Sequence, residues 1–143
     1  MRKVAFFLIL ALAVAIGCSA TDAEGEISKL LDERARAIAS KDIELYKKCL
    51  ARDYQKPAEL MKQHFDFWDA IEMRVLDRSI ELQSDGSAVV YQKYQFRVKK
   101  NGEWQVLEPA VEKLVLKKEG GLFKRWKIAG GLLPDEESGS EPD

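Results

Sequence analysis

Apolar residues change period part-way along this chain, and the change marks where helices give way to strands. Ile27, Leu30, Leu31, Ala35 and Ile38 recur every three or four positions, which predicts an amphipathic helix over 26–39 with its charges on the other face. Ser40 offers an N-cap for a second helix over about 41–50, with Asp42 in its first turn and Ile43, Tyr46, Cys49 and Leu50 on its apolar side. Pro57 suits the first turn of a third helix, in which Leu60, Met61, His64, Phe65, Trp68 and Ile71 keep the same spacing.

From Met73 onward Val, Ile, Tyr and Phe alternate with polar residues instead. The alternation is broken at Asp85-Gly86, Asn101-Gly102 and Gly120-Gly121, dipeptides that tolerate the positive φ a tight hairpin needs. Three such turns join four strands, 73–84, 87–100, 104–118 and 122–131. Alternation lapses around Val75, Leu76 and Ile80, which predicts a bulge or bend. The expected fold class is α+β, three N-terminal helices packed on a curved four-stranded antiparallel meander.

The first residues follow another pattern. Arg2 and Lys3 precede an uncharged apolar run from Val4 to Ile16, and small residues lead to Cys18, the three-part plan of a secretory signal. Those 13 residues span roughly 20 Å as a helix, short of the roughly 30 Å hydrocarbon core, so the run is a poor permanent span. Ala15-Ile16-Gly17-Cys18 resembles the bacterial lipobox, in which the Cys gains a diacylglycerol thioether and becomes the new N-terminus, although Leu is usual where Ala15 stands. Ordinary signal-peptidase cleavage after Ala15 or Ala20 is the competing reading, because small residues also occupy the positions that enzyme inspects.

On the lipobox reading, 1–17 is a signal peptide and 18–25 is the lipidated Cys18 with a polar, turn-prone tether. The mature chain is then anchored to a membrane of the cell envelope on the periplasmic side, held durably by more than one acyl chain. Ser19 rather than Asp after the Cys favours the outer membrane in a Gram-negative host.

Of the 23 Lys and Arg residues, two lie in 1–17, leaving 21 against 24 Asp and Glu. Five of those acids fall in the last ten residues, so the remainder is close to neutral. A nucleic-acid binder would carry a basic stripe, and this balance argues against that partner. Residues 134–143 are acidic and lack apolar side chains, which predicts a disordered tail. About 110 residues, 26–133, remain for one domain with one core, and no internal repeat is visible. If Cys18 is a thioether, Cys49 has no partner in the chain, and beside Leu45 and Leu50 it reads as a small buried hydrophobe, with an intermolecular disulfide or reactive thiol as the alternative.

Residues 37–46, Ala-Ile-Ala-Ser-Lys-Asp-Ile-Glu-Leu-Tyr, followed by Ala51-Arg-Asp53-Tyr54, resemble the opening of nuclear transport factor 2-like domains. Those domains also begin with a helix, a short break, a second helix and an Asp-Tyr pair, then a third helix and a curved sheet. The resemblance covers nearly all of 26–131 and rests as much on element order as on any residue. It implies a cone whose sheet wraps the first helix and leaves an opening, used in that superfold as a ligand pocket, an active site or a dimer surface. Its isomerase and dehydratase branches use a pocket Asp or His as base, with a Tyr or second acid as donor.

Several residues are candidates for such an opening. His64, the only histidine, lies on the apolar stripe of the third helix and is either a pocket base or a histidine satisfied at the edge of the core. In the second strand Val90, Gln92, Tyr94, Phe96 and Val98 share the inner face, which places a polar Gln92 among apolar neighbours. In the third, Glu112 shares a face with Ala110, Leu114 and Leu116, and an inward carboxylate must be paired, hydrogen-bonded or protonated. The alternative turns Val111 and Val115 inward and leaves Glu112 in water. Tyr46 and Tyr54 either point hydroxyls into the opening or fill the core. The Trp104 and Trp126 pair either packs the sheet or forms an exposed aromatic patch.

No cofactor is implied, and one His without clustered Cys or carboxylates makes no zinc site. The leading expectation is a non-catalytic domain binding a small molecule or an envelope protein. The alternatives are an isomerase- or cyclase-type enzyme using Glu112 or His64 as base with Tyr46 or Tyr94 as donor, and a homodimeric scaffold that buries its sheet face.

Overall fold

A computed structural model describes residues 19–136; the proposed signal peptide and Cys18 lie outside the described residues. Three helices, α1 (Ser19–Ser40), α2 (Ile43–Lys48) and α3 (Lys56–Phe67), precede five strands. These are β1 (Ala70–Leu82), β2 (Ala88–Lys100), β3 (Glu103–Val106), β4 (Ala110–Glu119) and β5 (Arg125–Gly130), and a single 3-10 turn, Pro134–Glu136, follows. The α+β class stands as expected.

Where a polar, turn-prone tether was expected over 18–25, α1 begins at Ser19 and runs as helix through the rest of that segment. The second helix is capped not by Ser40 but by Asp42, whose carboxylate accepts from the Leu45 N–H at 3.0 Å. Ser40 closes α1 instead, its hydroxyl donating to the Arg36 carbonyl at 2.8 Å, and Lys41 takes a left-handed φ of 53° between the helices. Pro57 sits in the first turn of α3 as predicted.

The sheet is antiparallel with the order β1-β2-β4-β5, and β3 also pairs with β2. Four strands were expected where five are found. The single expected strand 104–118 is split at Leu107–Pro109, because Pro109 has no N–H to give the ladder and an extra residue loops out there. Arg97 pairs with Val106 and Tyr94 with Ala110, so β2 spans the break that divides β3 from β4. In β1 the register slips between Val75 and Asp77, the lapse visible in the sequence, and Leu76 is turned outward there, 41 % exposed.

α1 packs against both β1 and β5, the two edges of the sheet, so the sheet must curl around it. Ile27, Leu31 and Ile38 from α1 meet Val90, Val98, Leu114, Leu116 and Ile128 in one buried core with Tyr46. The α2 exit is stitched to β5 by Ala51 N–H donating to the Ile128 carbonyl at 2.8 Å and Ile128 N–H to the Cys49 carbonyl at 2.9 Å. Cys49 is buried and donates weakly to the Leu45 carbonyl at 3.5 Å; burial pushes its thiol pKa up to about 11, as befits an inert apolar position. Trp126 is buried in this core, whereas Trp104 is exposed on the outer face with the Arg97 guanidinium stacked 4.0 Å above its ring. The two tryptophans therefore do not act as a pair.

Candidate functional site

Strand alternation carries Gln92 and Glu112 to the inner face, where they stand directly opposite each other on β2 and β4. Glu112 is 6 % exposed and Val111 63 %, which decides the facing in favour of an inward carboxylate. Its counter-charge comes from α1. Arg34 lies one turn from Leu30, Leu31, Ala37 and Ile38, so helical period places it on the buried stripe that Ala35 was expected to fill; Ala35 is only half-buried.

Arg34 grips Glu112 with both terminal nitrogens, at 2.6 Å and 3.1 Å, and Gln92 donates to the same carboxylate at 2.9 Å. The Gln92 carbonyl in turn accepts from Arg78 Nε at 2.7 Å, and the far side of Arg78 reaches Asp32 at 3.1 Å. A polar chain thus crosses the interior from α1 through β1, β2 and β4 and back to α1. Burial alone would lower the Arg34 pKa, but the Glu112 charge and the neighbouring Tyr46 more than offset it and hold the guanidinium above its ordinary value. Burial raises the Tyr46 pKa, with Arg34 acting in opposition. One donor in this group, the buried Arg34 Nε, has no hydrogen bond among the described residues.

Arg34, Tyr46, His64, Tyr94 and Glu112 line a cavity of about 310 Å³ between α3, the inner sheet face and the segment Gly131–Pro134. A second, more apolar hollow of about 480 Å³ lies between Phe67, Trp68 and Ile71 on one side and Phe96, Val98 and Leu107 on the other. The two share Met61, His64 and Phe96 as walls. Tyr94 and Phe96 pack edge to face at 5.3 Å along this wall.

Four of the six expected pocket residues, Tyr46, His64, Tyr94 and Glu112, therefore meet at one cavity. Gln92 stands behind Glu112 as its support rather than in the lining. Tyr54 lies outside the lining altogether. Its hydroxyl donates to the Glu136 carboxylate and accepts from the Leu132 N–H at 2.8 Å. Glu136 also accepts from the N–H groups of Gly131 and Leu133, each at 3.0 Å. The expectation of a disordered tail from 134 is corrected at its start: Pro134–Glu136 folds back as a strap that closes one side of the cavity.

His64 is exposed at the cavity mouth, and its ring makes no hydrogen bond among the described residues. A general base works best when a second group orients it, and among the described residues none is hydrogen-bonded to the His64 ring. Glu112 has both oxygens occupied. No group of three His, Cys, Asp or Glu suited to a metal occurs among the described residues. Sequence reasoning missed Arg34, Arg78 and Glu136. For Arg34 the signal was present, since it falls on the apolar stripe.

The strap makes a direct prediction. Burial would raise the Glu136 pKa, but the Tyr54 hydroxyl and the strap N–H groups lower it overall. A depressed carboxylate contributes stability above its unfolded pKa that is lost as pH falls through the folded value. Acidification through the carboxylate range is expected to loosen the strap before the domain unfolds, read as early hydrogen exchange at Leu132 and Leu133. Tyr54→Phe removes both bonds of the hydroxyl and is expected to cost about 1–2 kcal/mol in urea unfolding. An unchanged midpoint would mean the latch adds nothing.

Solved structures give the fold its place. The chain superposes on a nuclear transport factor 2-like superfamily protein from Salmonella enterica with a TM-score of 0.66 at 14 % identity, covering 86 % of this chain and 100 % of that one. A candidate dehydratase of the nuclear transport factor 2-like family from Streptomyces avermitilis matches with a TM-score of 0.64 at 10 % identity over 76 % and 94 % of the two chains. A protein of unknown function with a cystatin-like fold from Nostoc punctiforme matches with 0.61 at 15 % identity over 77 % and 87 %. No family model matches the sequence, and no curated protein matches it. The fold is that of nuclear transport factor 2-like proteins, and at these identities the likeness reaches no further than the fold.

Proposed function

We propose that this protein is a cell-envelope lipoprotein, anchored through Cys18, whose domain binds a small amphipathic molecule without transforming it. The observation that carries the non-catalytic reading is the state of Glu112. The inward carboxylate a reaction would need as base is held by two Arg34 nitrogens and Gln92, and pulling it free would leave a buried guanidinium unpaired. The other candidate, His64, has no orienting group.

The cavity pair supports a ligand with two characters. Hollows of about 310 and 480 Å³ lie in the range of small-molecule sites. Phe67, Trp68, Ile71, Phe96 and Leu107 suit an apolar body, while Tyr46 and Tyr94 suit a small polar end. The membrane address rests on the N-terminal pattern, and labelling with radioactive palmitate that is lost in Cys18→Ser tests it.

Binding is tested with N-phenyl-1-naphthylamine, an apolar fluorophore with one N–H donor. Saturable enhancement is expected, weakened about tenfold or more by Leu107→Trp, which puts an indole into the apolar hollow. Val111→Ala on the outer face is expected to leave it unchanged. Equal binding by wild type and Leu107→Trp would remove the hollow as the site. The enzyme reading would return if a folded His64→Ala variant bound the fluorophore as the wild type does yet failed to restore the envelope phenotype of a deletion strain.

A further inference from the structure

The β4–β5 hairpin breaks the rule its neighbours obey. The β1–β2 turn at the same end of the sheet is wholly polar, Gln83-Ser-Asp-Gly-Ser87. The β4–β5 turn instead presents Leu122 and Phe123 side by side, 92 % and 80 % exposed. Adjacent large apolar side chains this exposed mark a contact surface when charged residues ring them. Here the ring is basic. Lys117, Lys118, Lys124 and Arg125 are exposed around the tip and Lys127 is half-buried below it. From Lys113 to Pro134 the one acidic residue is Glu119, and its carboxylate is engaged by the Arg52 N–H at 3.0 and 3.2 Å.

Position gives the occupant. Gly131, just past β5, shares the cavity wall with Arg34, whereas Lys124–Lys127 share a surface hollow with Glu26, Lys29, Leu30 and Glu33. Tracing β5 back from Gly130 to Arg125 therefore runs toward the N-terminal end of α1, and Leu122 and Phe123 lie further along that line. The proposed anchor residue Cys18 directly precedes Ser19, the first residue of α1, at this same end. Acidic groups at this end are Asp22, Glu24, Glu26 and Glu33 on α1 and Asp85, which lies near Lys117, so the basic side chains gather on the hairpin and the acidic ones on the helix.

We propose that the β4–β5 tip is a membrane-docking surface that sinks Leu122 and Phe123 into an anionic lipid bilayer while the surrounding lysines and arginine meet the headgroups. The chemistry is that of interfacial segments, apolar side chains buried in the acyl boundary and long cations reaching to the phosphates. Each basic residue at such a surface strengthens binding by about fivefold. Docking here would hold the domain in one orientation on the membrane. The inference shares the membrane address with the function proposed above but not the lipid anchor.

The test uses the mature chain proposed above, residues 18–143, carrying Cys18→Ser, so that neither the apolar run Val4–Ile16 nor a thioether can carry it to the vesicles. An environment-sensitive nitrobenzoxadiazole label is placed on Leu122→Cys, or on Glu103→Cys at the other end of the sheet, while buried Cys49 stays unlabelled. With vesicles of equal phosphatidylglycerol and phosphatidylcholine, the label at 122 is expected to shift blue and be quenched by brominated acyl chains, and the label at 103 to do neither. Lys124→Gln with Arg125→Gln is expected to lower the tip's insertion constant by about 25-fold. A label at 122 that stays in water while the chain pellets with the vesicles overturns the proposal and points to a protein partner for the tip. Failure of palmitate labelling at Cys18 would undo the anchor and leave this result standing.

Discussion

Replacing Arg34 by Met is expected to destabilise the domain by about 3–5 kcal/mol, seen as a lower urea midpoint with little change in slope. The size follows from what is left behind. Glu112 is 6 % exposed, and without Arg34 its charge would keep only the Gln92 amide at a position with little access to water. Met fills the space of the guanidinium stem, so the loss reads the stranded charge and not a cavity.

The companion experiment separates the value of the pair from the cost of breaking it. Arg34→Met combined with Glu112→Met removes both charges, and the double variant is expected to regain most of the lost stability, because buried ion pairs exchange for apolar groups at nearly no net cost. A double variant as unstable as the single one would show that the pair itself, through Gln92 and Arg78, holds the sheet to α1. The same protein also probes function. If the polar chain holds one end of the ligand, the double variant folds yet binds N-phenyl-1-naphthylamine more weakly, and undiminished binding would reduce the chain to a structural role.

Helix order, the β1 bulge and the inward facing of Gln92 were legible in the sequence because each is a local property, whereas parity grouped Glu112 with Leu114 and Leu116 but left open which face was the inner one. Period decides a helix face, and strand parity decides which side a residue takes. Arg34 was lost for a different reason. Its position at the spacing of Ile27, Leu31 and Ile38 marked it as inward, but residue type assigned it to the charged face, and the partner that makes burial tolerable lies 78 residues away on β4. Nothing local reports a contact of that range. The division of β3 from β4 had a local sign, Pro109, inside a run read as continuous strand. The strap had none, because an acidic, apolar-poor segment reads as a tail until Tyr54 supplies the hydroxyl that Glu136 caps.

Gly131→Ala is expected to be the most damaging single methyl added to this chain. Gly131 has φ +93°, a conformation in which an L side chain is strained, and its Cβ would fall 1.9 Å from the Lys113 carbonyl oxygen and 3.1 Å from the Leu114 Cα. Both obstacles are backbone of β4, so no side-chain rotation relieves them. Strain and overpacking together imply a loss of about 2–5 kcal/mol. The chain can escape part of it by swinging the strap away, which breaks the bonds from Gly131 and Leu133 to Glu136 and from Leu132 to Tyr54. A double-mutant cycle with Tyr54→Phe distinguishes the two responses. If the strap detaches, Tyr54→Phe adds little on top of Gly131→Ala, since the bonds it removes are already gone, and the cavity wall at Leu132 exchanges its amide hydrogens quickly. If instead the losses add in full, the strap has stayed in place and β4 has yielded, which would displace Glu112 from Arg34 and couple the lid of the cavity to the charge pair at its floor.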